Sequence, residues 1–417
     1  MFTFLAVSEI IVCAGASAST FYLAWRRSAP KTWLTIYARD DERDLASLRM
    51  LYGYNEHTYV AVSEHSQVWR DRWLRGAVSY IERGNVWLVT GEPLADDENL
   101  YQITENFISH ARENRKLAVF VPTSERFARA VSTQDVRIHK IGTSPYFDLQ
   151  NWNPRGNSAK GLRLGLNRAR RAGIVVESVS DITADFRGEV GELCENWMDG
   201  RPAGLEFGWL FQLAPFENAN AKRYFAARNT EGLLVGLLAA CPIPARDGWY
   251  LEDVLKRADA PTGTADLIVF EALRGLAAEG ALLATLGTIP LSETGGDDIT
   301  SGGYILARVL DLTKRSLKSI YNVEGLRCFK SKFVPSWWES EYVVVSKGFL
   351  RAPRTGIAVL RVIFGDGSFG LSWVYSSIKK AIRSRRRSPS NTAPEFSPAI
   401  GVENSLNQTS NHVVKLG

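Results

Sequence analysis

The feature that most constrains the fold is residues 249–291, WYLEDVLKRADAPTGTADLIVFEALRGLAAEGALLATLGTIPL. They read as strand, turn, helix, strand. Trp249-Tyr250-Leu251 is a short apolar run that ends in two acids, Glu252 and Asp253. Residues 259–264 carry turn and helix-start chemistry, since Pro261 fixes φ, Gly263 permits a left-handed step and Thr264 can cap. From Ala265, the apolar residues Leu267, Ile268, Phe270, Leu273 and Leu276 recur at helical spacing, and Gly280 supplies the stop. Residues 282–286 form a second strand candidate. A helix N-terminus placed at a strand end presents free N–H groups and a positive dipole end, which suits an anion or a developing oxyanion. A strand–helix–strand corner with no chemistry has the same pattern.

With 417 residues the chain can build two packed domains, and its 12 tryptophans supply material for their cores. A net charge of +5 is modest, so contact with nucleic acid or anionic lipid has to come from local clusters. Cys13, Cys194, Cys241 and Cys328 are scattered with no C-x-x-C, and the five histidines show no metal-ligand spacing. Neither a disulfide framework nor a metal centre is expected.

Residues 4–25 are mostly apolar or small, and a helix of that length spans roughly 30 Å of hydrocarbon. Glu9 is the one charge inside the run; no Lys or Arg precedes it, and Arg26, Arg27 and Lys31 follow. By the positive-inside tendency, residues 1–30 are expected to be an uncleaved transmembrane anchor with the rest of the chain on the cytoplasmic side. The small-residue string at 14–19 offers a cleavage site as the alternative.

Residues 31–151 alternate helices with β-rich runs, as in a mixed α+β domain. The runs at 77–81 and 86–89 flank the turn Arg83-Gly84-Asn85, a hairpin signal. No catalytic constellation stands out in this segment, so a scaffold or half-site role is expected. The polar turn at 151–156 marks a boundary. The helix after it, about 159–172, holds Lys160, Arg163, Arg168, Arg170 and Arg171, which suit either a phosphate-binding face or a solvated surface. Farther on, Lys330 and Lys332 stand among Phe329, Phe333, Trp337 and Trp338. That mixture fits a phosphate with a base or lipid beside it, or lysine stems lying over aromatic surface.

Taken in order, KGLRLGLNRARRAG, WMDGRPAGLEFGWL, YFAARNTEGLLVGLLAACP, WYLEDVLKRADAPTGTADL, TLGTIPLS and YNVEGLRCFKSKFVPSWW resemble the C-terminal domain of bacterial phosphatidylglycerol lysyltransferases over roughly residues 31–345. The resemblance implies an α+β fold of tandem GNAT-like (acyl-CoA N-acyltransferase-like) domains, the second at 152–346 carrying the site. It implies transfer of an amino acid from aminoacyl-tRNA to the hydroxyl of an anionic phospholipid such as phosphatidylglycerol, at the cytoplasmic face of the bacterial inner membrane. Three departures stand out. The family's acid-x-x-Arg is here Asp253-Val254-Leu255-Lys256, and lysine lacks arginine's bidentate fork. Its G-D-P signature reads Gly91-Glu92-Pro93, and a single apolar anchor is expected in place of its long multi-span region.

An aminoacyl ester is already activated, so its transfer to a hydroxyl needs no cofactor. It needs a proton acceptor, a stabilised oxyanion and neutralised phosphates. On the resemblance, Asp253, with Glu252 beside it, handles the proton or the amino group of the aminoacyl moiety. Lys256, Arg257, Lys330 and Lys332 hold phosphate, Asn322 lies with the last pair, and the N–H groups around Gly263 and Thr264 receive the oxyanion. An acyl-CoA-dependent acyltransferase is a rival, although Ala260 stands where a pyrophosphate loop carries Arg or Gln. A non-catalytic membrane-tethered binding protein is the other alternative. Residues 347–388 end in Lys379, Lys380, Arg383 and Arg385 to Arg387, and read as a helix on an anionic membrane surface. Residues 389–417, rich in Ser, Asn and Pro, read as a disordered tail.

Overall fold

Residues 45–59, 66–199, 213–290, 299 and 323–347 are described in the computed structural model. The apolar run at 4–25, Asn322, the cationic segment beyond Lys347 and the tail lie outside the described residues. Among the described residues, no helix is long and apolar enough to cross a membrane.

The first half begins with helix α1 (Leu45–Tyr52) and a 3-10 turn (Glu56–Thr58). Strands β1 (Gln67–Arg70), β2 (Gly76–Arg83), β3 (Val86–Thr90) and β4 (Leu94–Ala95) follow, then helix α2 (Asp97–Glu113). The half closes with β5 (Leu117–Ser124), α3 (Glu125–Ala130) and the 13-residue strand β6 (Val136–Asp148). The Asp96 side chain accepts from Asn99 N–H and starts α2, which buries Leu100, Ile103, Phe107 and Ala111 along one stripe. The hairpin expected around Gly84 is present as antiparallel β2 and β3.

The second half has α4 (Lys160–Arg171), β7 (Val175–Val179), α5 (Ala184–Asp199), β8 (Arg223–Arg228) and β9 (Leu234–Ile243). A 3-10 turn (Pro244–Arg246) leads to β10 (Gly248–Lys256), α6 (Thr264–Ala278) and β11 (Leu283–Thr285). The short β12 (Ile289–Pro290), α7 (Val323–Ser331) and β13 (Trp337–Ser346) complete it. The expected strand–helix–strand unit at 249–291 is therefore β10–α6–β11, with its two strands parallel. The first strand runs on past Leu251 through both acids to Lys256.

Among the described residues, thirteen strands join in one sheet, in the order β1-β2-β3-β5-β13-β6-β11-β10-β9-β8-β7, with β4 on β2 and β12 on β6. Each half contributes one parallel pair, β3 with β5 across α2 and β10 with β11 across α6; the other pairings are antiparallel. Two copies of one unit thus lie in tandem, as the α+β GNAT-like expectation requires. Their last strands are exchanged. β6, which ends the first half, pairs with β11 of the second, while β13, which ends the second, pairs with β5 of the first. The two exchanged strands pair with each other along ten positions, Trp337↔Tyr146 through Ser346↔Val136.

One core lies between α4, α6 and the sheet, built on Leu162, Leu166, Leu267, Ile268, Leu273, Phe147, Trp249 and Leu251. A second, on the other face, gathers Phe186, Val190 and Leu193 of α5 with Tyr224, Leu237 and Leu255. The first half packs α2 and α3 around Trp87, Phe107, Phe120 and Phe127.

Candidate active site

The two faces of the second-half sheet differ in chemistry. Alternate residues of a strand point to opposite faces, so register fixes which side chains share a side. Phe147, Ala284, Trp249 and Leu251 turn to α6 and the apolar core. The opposite face carries a row running through five strands in register, Trp337, Tyr146, Thr285, Tyr250 and Cys241. Two polar clusters flank Tyr250 along this row.

The first cluster grows from a bulge in β10. Leu251 pairs with Ala240 and Asp253 with Ala239, so Glu252 is the extra residue. A bulge re-aims the side chains at its position. Glu252 Oε2 lies 2.7 Å from Lys222 Nζ, which is almost wholly buried, and accepts from the Cys241 thiol at 3.0 Å. Asp253 Oδ2 is enclosed and has no hydrogen-bond partner among the described residues. Burial, with the charge of Glu252 beside it, pushes the Asp253 carboxyl up to about 7 against a smaller opposing pull from Lys222. Burial and the same acids push the Cys241 thiol well up, which leaves it a neutral donor rather than a nucleophile.

The second cluster is built from both halves. Asn55 accepts from His57 N–H at 2.8 Å and so forms the 3-10 turn that presents Glu56. Gly91, at φ 75°, brings the Gly91-Glu92-Pro93 corner against Asn55, where a side chain would crowd its amide. Glu56 then meets Ser144 at 3.2 Å and the Tyr146 hydroxyl at 3.3 Å. Glu341 of β13 accepts from Thr288 at 2.5 Å and from Ser144. Lys330, buried, donates to the carbonyls of Gly287 (2.7 Å) and Thr288 (2.9 Å). Burial lowers its ammonium to about 8, although Glu56 and Glu341 oppose that shift. Burial and the neighbouring Glu56 push the Glu341 carboxyl well above the usual carboxylate range. In Glu56, burial is outweighed by His57, Glu341 and Lys330, and the carboxylate stays charged. Ligand atoms of Glu56, His57 and Glu341 lie within 4.8 Å of one another, a spacing that would admit a cation, and Lys330 sets a positive charge against the same two acids.

Tyr250 joins the clusters, its ring edge-on to His57 at 5.5 Å. Nearby, the Arg246 guanidinium binds Glu339 through two bonds (3.0 and 2.5 Å) and lies over the rings of Tyr54 and Tyr146. An open cleft of about 540 Å³ has a wall that includes Arg49, Arg187, Asn218 and Ala221. Arg49 donates to Asn218 at 3.2 Å, and Arg187 lies over Phe216.

The residues expected from the sequence do not gather in one place. Asp253, Glu252 and Lys330 reach the polar face. Lys256 does not. It pairs with Gly236, on the α6 side, and its ammonium bonds the Arg257 carbonyl at 3.1 Å, because residues three apart on a strand face opposite ways. Arg257 turns to Asp259 at 3.2 Å. Lys332 leaves Lys330 and pairs with Asp266 of α6 at 2.6 Å. Gly263 and Thr264 lie under α4: a Cβ on Gly263 would collide with the Gly165 carbonyl, and Thr264 is fully buried. That leaves no room for a substrate oxyanion at the N-terminus of α6. Glu56, Ser144, Lys222, Tyr250 and Glu341 had not stood out in the sequence, because nothing local connects residues so far apart in the chain.

Two interlocked strand–helix–strand halves, with buried acids and lysines on one shared face, define an α+β protein of the GNAT-like type whose candidate site draws on both halves. The chain belongs to the family described as phosphatidylglycerol lysyltransferase, C-terminal, which matches residues 46–345. It is 24% identical over 254 residues to the phosphatidylglycerol lysyltransferase of Bacillus subtilis, covering 60% of this chain and 29% of that one. The Staphylococcus haemolyticus enzyme of the same name is 22% identical over 313 residues, covering 71% of this chain and 34% of its own. The chain therefore spans about a third of the length of these curated relatives. Among solved structures, L-PGS from Bacillus licheniformis shares the fold with a TM-score of 0.64 at 20% identity, over 76% of this chain and 95% of that one. The C-terminal domain of a putative lysylphosphatidylglycerol synthetase from Agrobacterium fabrum also gives 0.64 at 20% identity, over 79% and 98%.

Proposed function

We propose that this chain is an aminoacyltransferase that moves an amino acid from aminoacyl-tRNA to the hydroxyl of a phospholipid such as phosphatidylglycerol. The observation that carries the reading is Asp253, an enclosed carboxylate with a free oxygen and a pKa near 7. Such a group can take a proton at neutral pH. The acceptor hydroxyl gives its proton to Asp253, and its oxygen attacks the ester carbonyl. The tetrahedral intermediate then expels the ribose oxygen of the tRNA, which takes up the proton. Lys222 holds Glu252 and so limits the negative charge around Asp253. Arg49 and Arg187, on the wall of the open cleft, suit the phosphate of the lipid. Lys330, with the Glu56 and Glu341 pair, suits the amino group or the developing charge of the aminoacyl moiety.

The apolar run at 4–25 would anchor the protein, with the cationic segment at 347–388 resting on anionic lipid. The catalytic halves would then lie in the cytoplasm, where charged tRNA is found. The acyl-CoA alternative is disfavoured by α4, whose Gly165 backbone, with the nearby Asp266 carboxylate, fills the helix end where a pyrophosphate would bind. The test is incubation of the full chain with membranes, charged tRNA and radiolabelled amino acid. Labelled lipid that disappears on RNase treatment is expected. Absence of labelled lipid from folded protein, across the cationic amino acids and alanine, would favour the binding-protein reading.

A further inference from the structure

The far end of the sheet carries a second surface. β1 is the outermost strand on the first-half side, and the turn between β1 and β2 reads Arg70-Asp71-Arg72-Trp73-Leu74-Arg75. Trp73 is 82% exposed, the most exposed of the large hydrophobic residues described. The turn that displays it is rigidly built. Asp71 Oδ1 accepts from the N–H groups of Trp73 (2.7 Å) and Leu74 (2.9 Å), and Oδ2 accepts from Asn106 of α2 (2.6 Å). The only acid of the turn is therefore drawn inward. Arg70 and Arg72 stay exposed on either side of it, and the Arg72 guanidinium lies over the Trp73 ring at 4.9 Å. Val68, on the edge strand, is also exposed.

An indole held out in water beside two cations matches the boundary of an anionic bilayer. There the ring sits at headgroup depth and the guanidinium groups meet phosphates. The position agrees with the chain's course. Arg75 at the base of the turn lies over Tyr52 of α1, and Leu48 of α1 packs on Ala77 of β2. Only residues 26–44 separate α1 from the apolar run at 4–25.

We infer that the β1–β2 turn, led by Trp73 with Arg70 and Arg72, is a membrane-docking element that seats the first half on anionic phospholipid. The inference shares the lipid partner with the proposed function, yet its test requires no turnover. Full-length protein is placed in vesicles of phosphatidylcholine with 30% phosphatidylglycerol, with and without brominated acyl chains, beside a Trp73→Phe variant. The wild-type minus variant emission isolates Trp73. A blue-shifted difference spectrum, quenched by bromolipid and weakened in pure phosphatidylcholine, is expected. Paired Arg70→Glu and Arg72→Glu changes should weaken that quenching at least several-fold, since each surface cation contributes roughly a factor of five in partitioning. A Trp73 signal that stays red-shifted and blind to bromolipid overturns the proposal. So does one that changes with protein concentration but not with lipid, since the edge strand would then be joining copies of the chain. Transfer to lipid, measured separately, reports on the proposed activity whichever result is obtained.

Discussion

Asp253 lies one residue past a bulge, and that irregularity decides what its carboxylate meets. Its folded-state pKa of about 7 stands above the roughly 3.9 of an unfolded chain, so the native protein binds the proton more tightly. Stability from this group is complete below about pH 4 and is lost as the pH rises through 7. Asp253→Asn removes the charge at constant size. It should raise unfolding stability at pH 8 by about 1–3 kcal/mol and flatten the fall between about pH 4 and 7, read by denaturant titration. The same change should cost at least ten- to a hundred-fold in transfer. Lys256→Ala should cost less than tenfold, because its ammonium lies on the other face, at the Arg257 carbonyl. Equal losses in Asp253→Asn and Lys256→Ala would restore the two as one motif. The acids of β10 were legible as candidates because they end an apolar run just before a helix start. Glu56 and Glu341 were not, since they meet through Ser144 from 88 and 197 residues away.

At the scale of elements, local pattern carried far. The periodicity of residues 265–276 gave α6 to within a residue of its start, and the hairpin at Gly84 followed from turn chemistry. What local pattern could not give was the covering of the α6 N-terminus. That depends on Gly165 of α4 meeting Gly263 across a gap of about a hundred residues, a close approach only glycines permit. Gly263, at φ 96°, faces strain from its backbone as well as collision. Gly263→Ala should therefore destabilise by about 2–4 kcal/mol, shown as a lowered midpoint in thermal or urea unfolding. An unchanged midpoint would mean that α4 can lift, reopening the helix end as an anion site. The cationic face of α4, with Lys160, Arg163, Arg168 and Arg171 exposed, lies across the sheet from Asp253.

For the whole molecule, residues 152–155 carry no regular structure, yet the halves on either side of them are not independent. The strand at 337–346, expected to belong with the second half, lies between β5 and β6 of the first. Strand partners chosen at such separation leave no trace in local spacing. A chain cut at Gly156 yields two pieces that each lack a closing strand and expose unpaired edges. Each piece alone should aggregate, whereas the two expressed together should recover a soluble 1:1 complex, seen by co-purification through a tag on one piece. Soluble, folded single pieces would contradict the exchange. The same reciprocity bears on descent. Once two copies have traded their final strands, a mutation that deletes either copy also dismantles the survivor. The first half is thereby tied to the second by what it completes, as well as by the Glu56, Ser144 and Tyr146 it brings to the polar face.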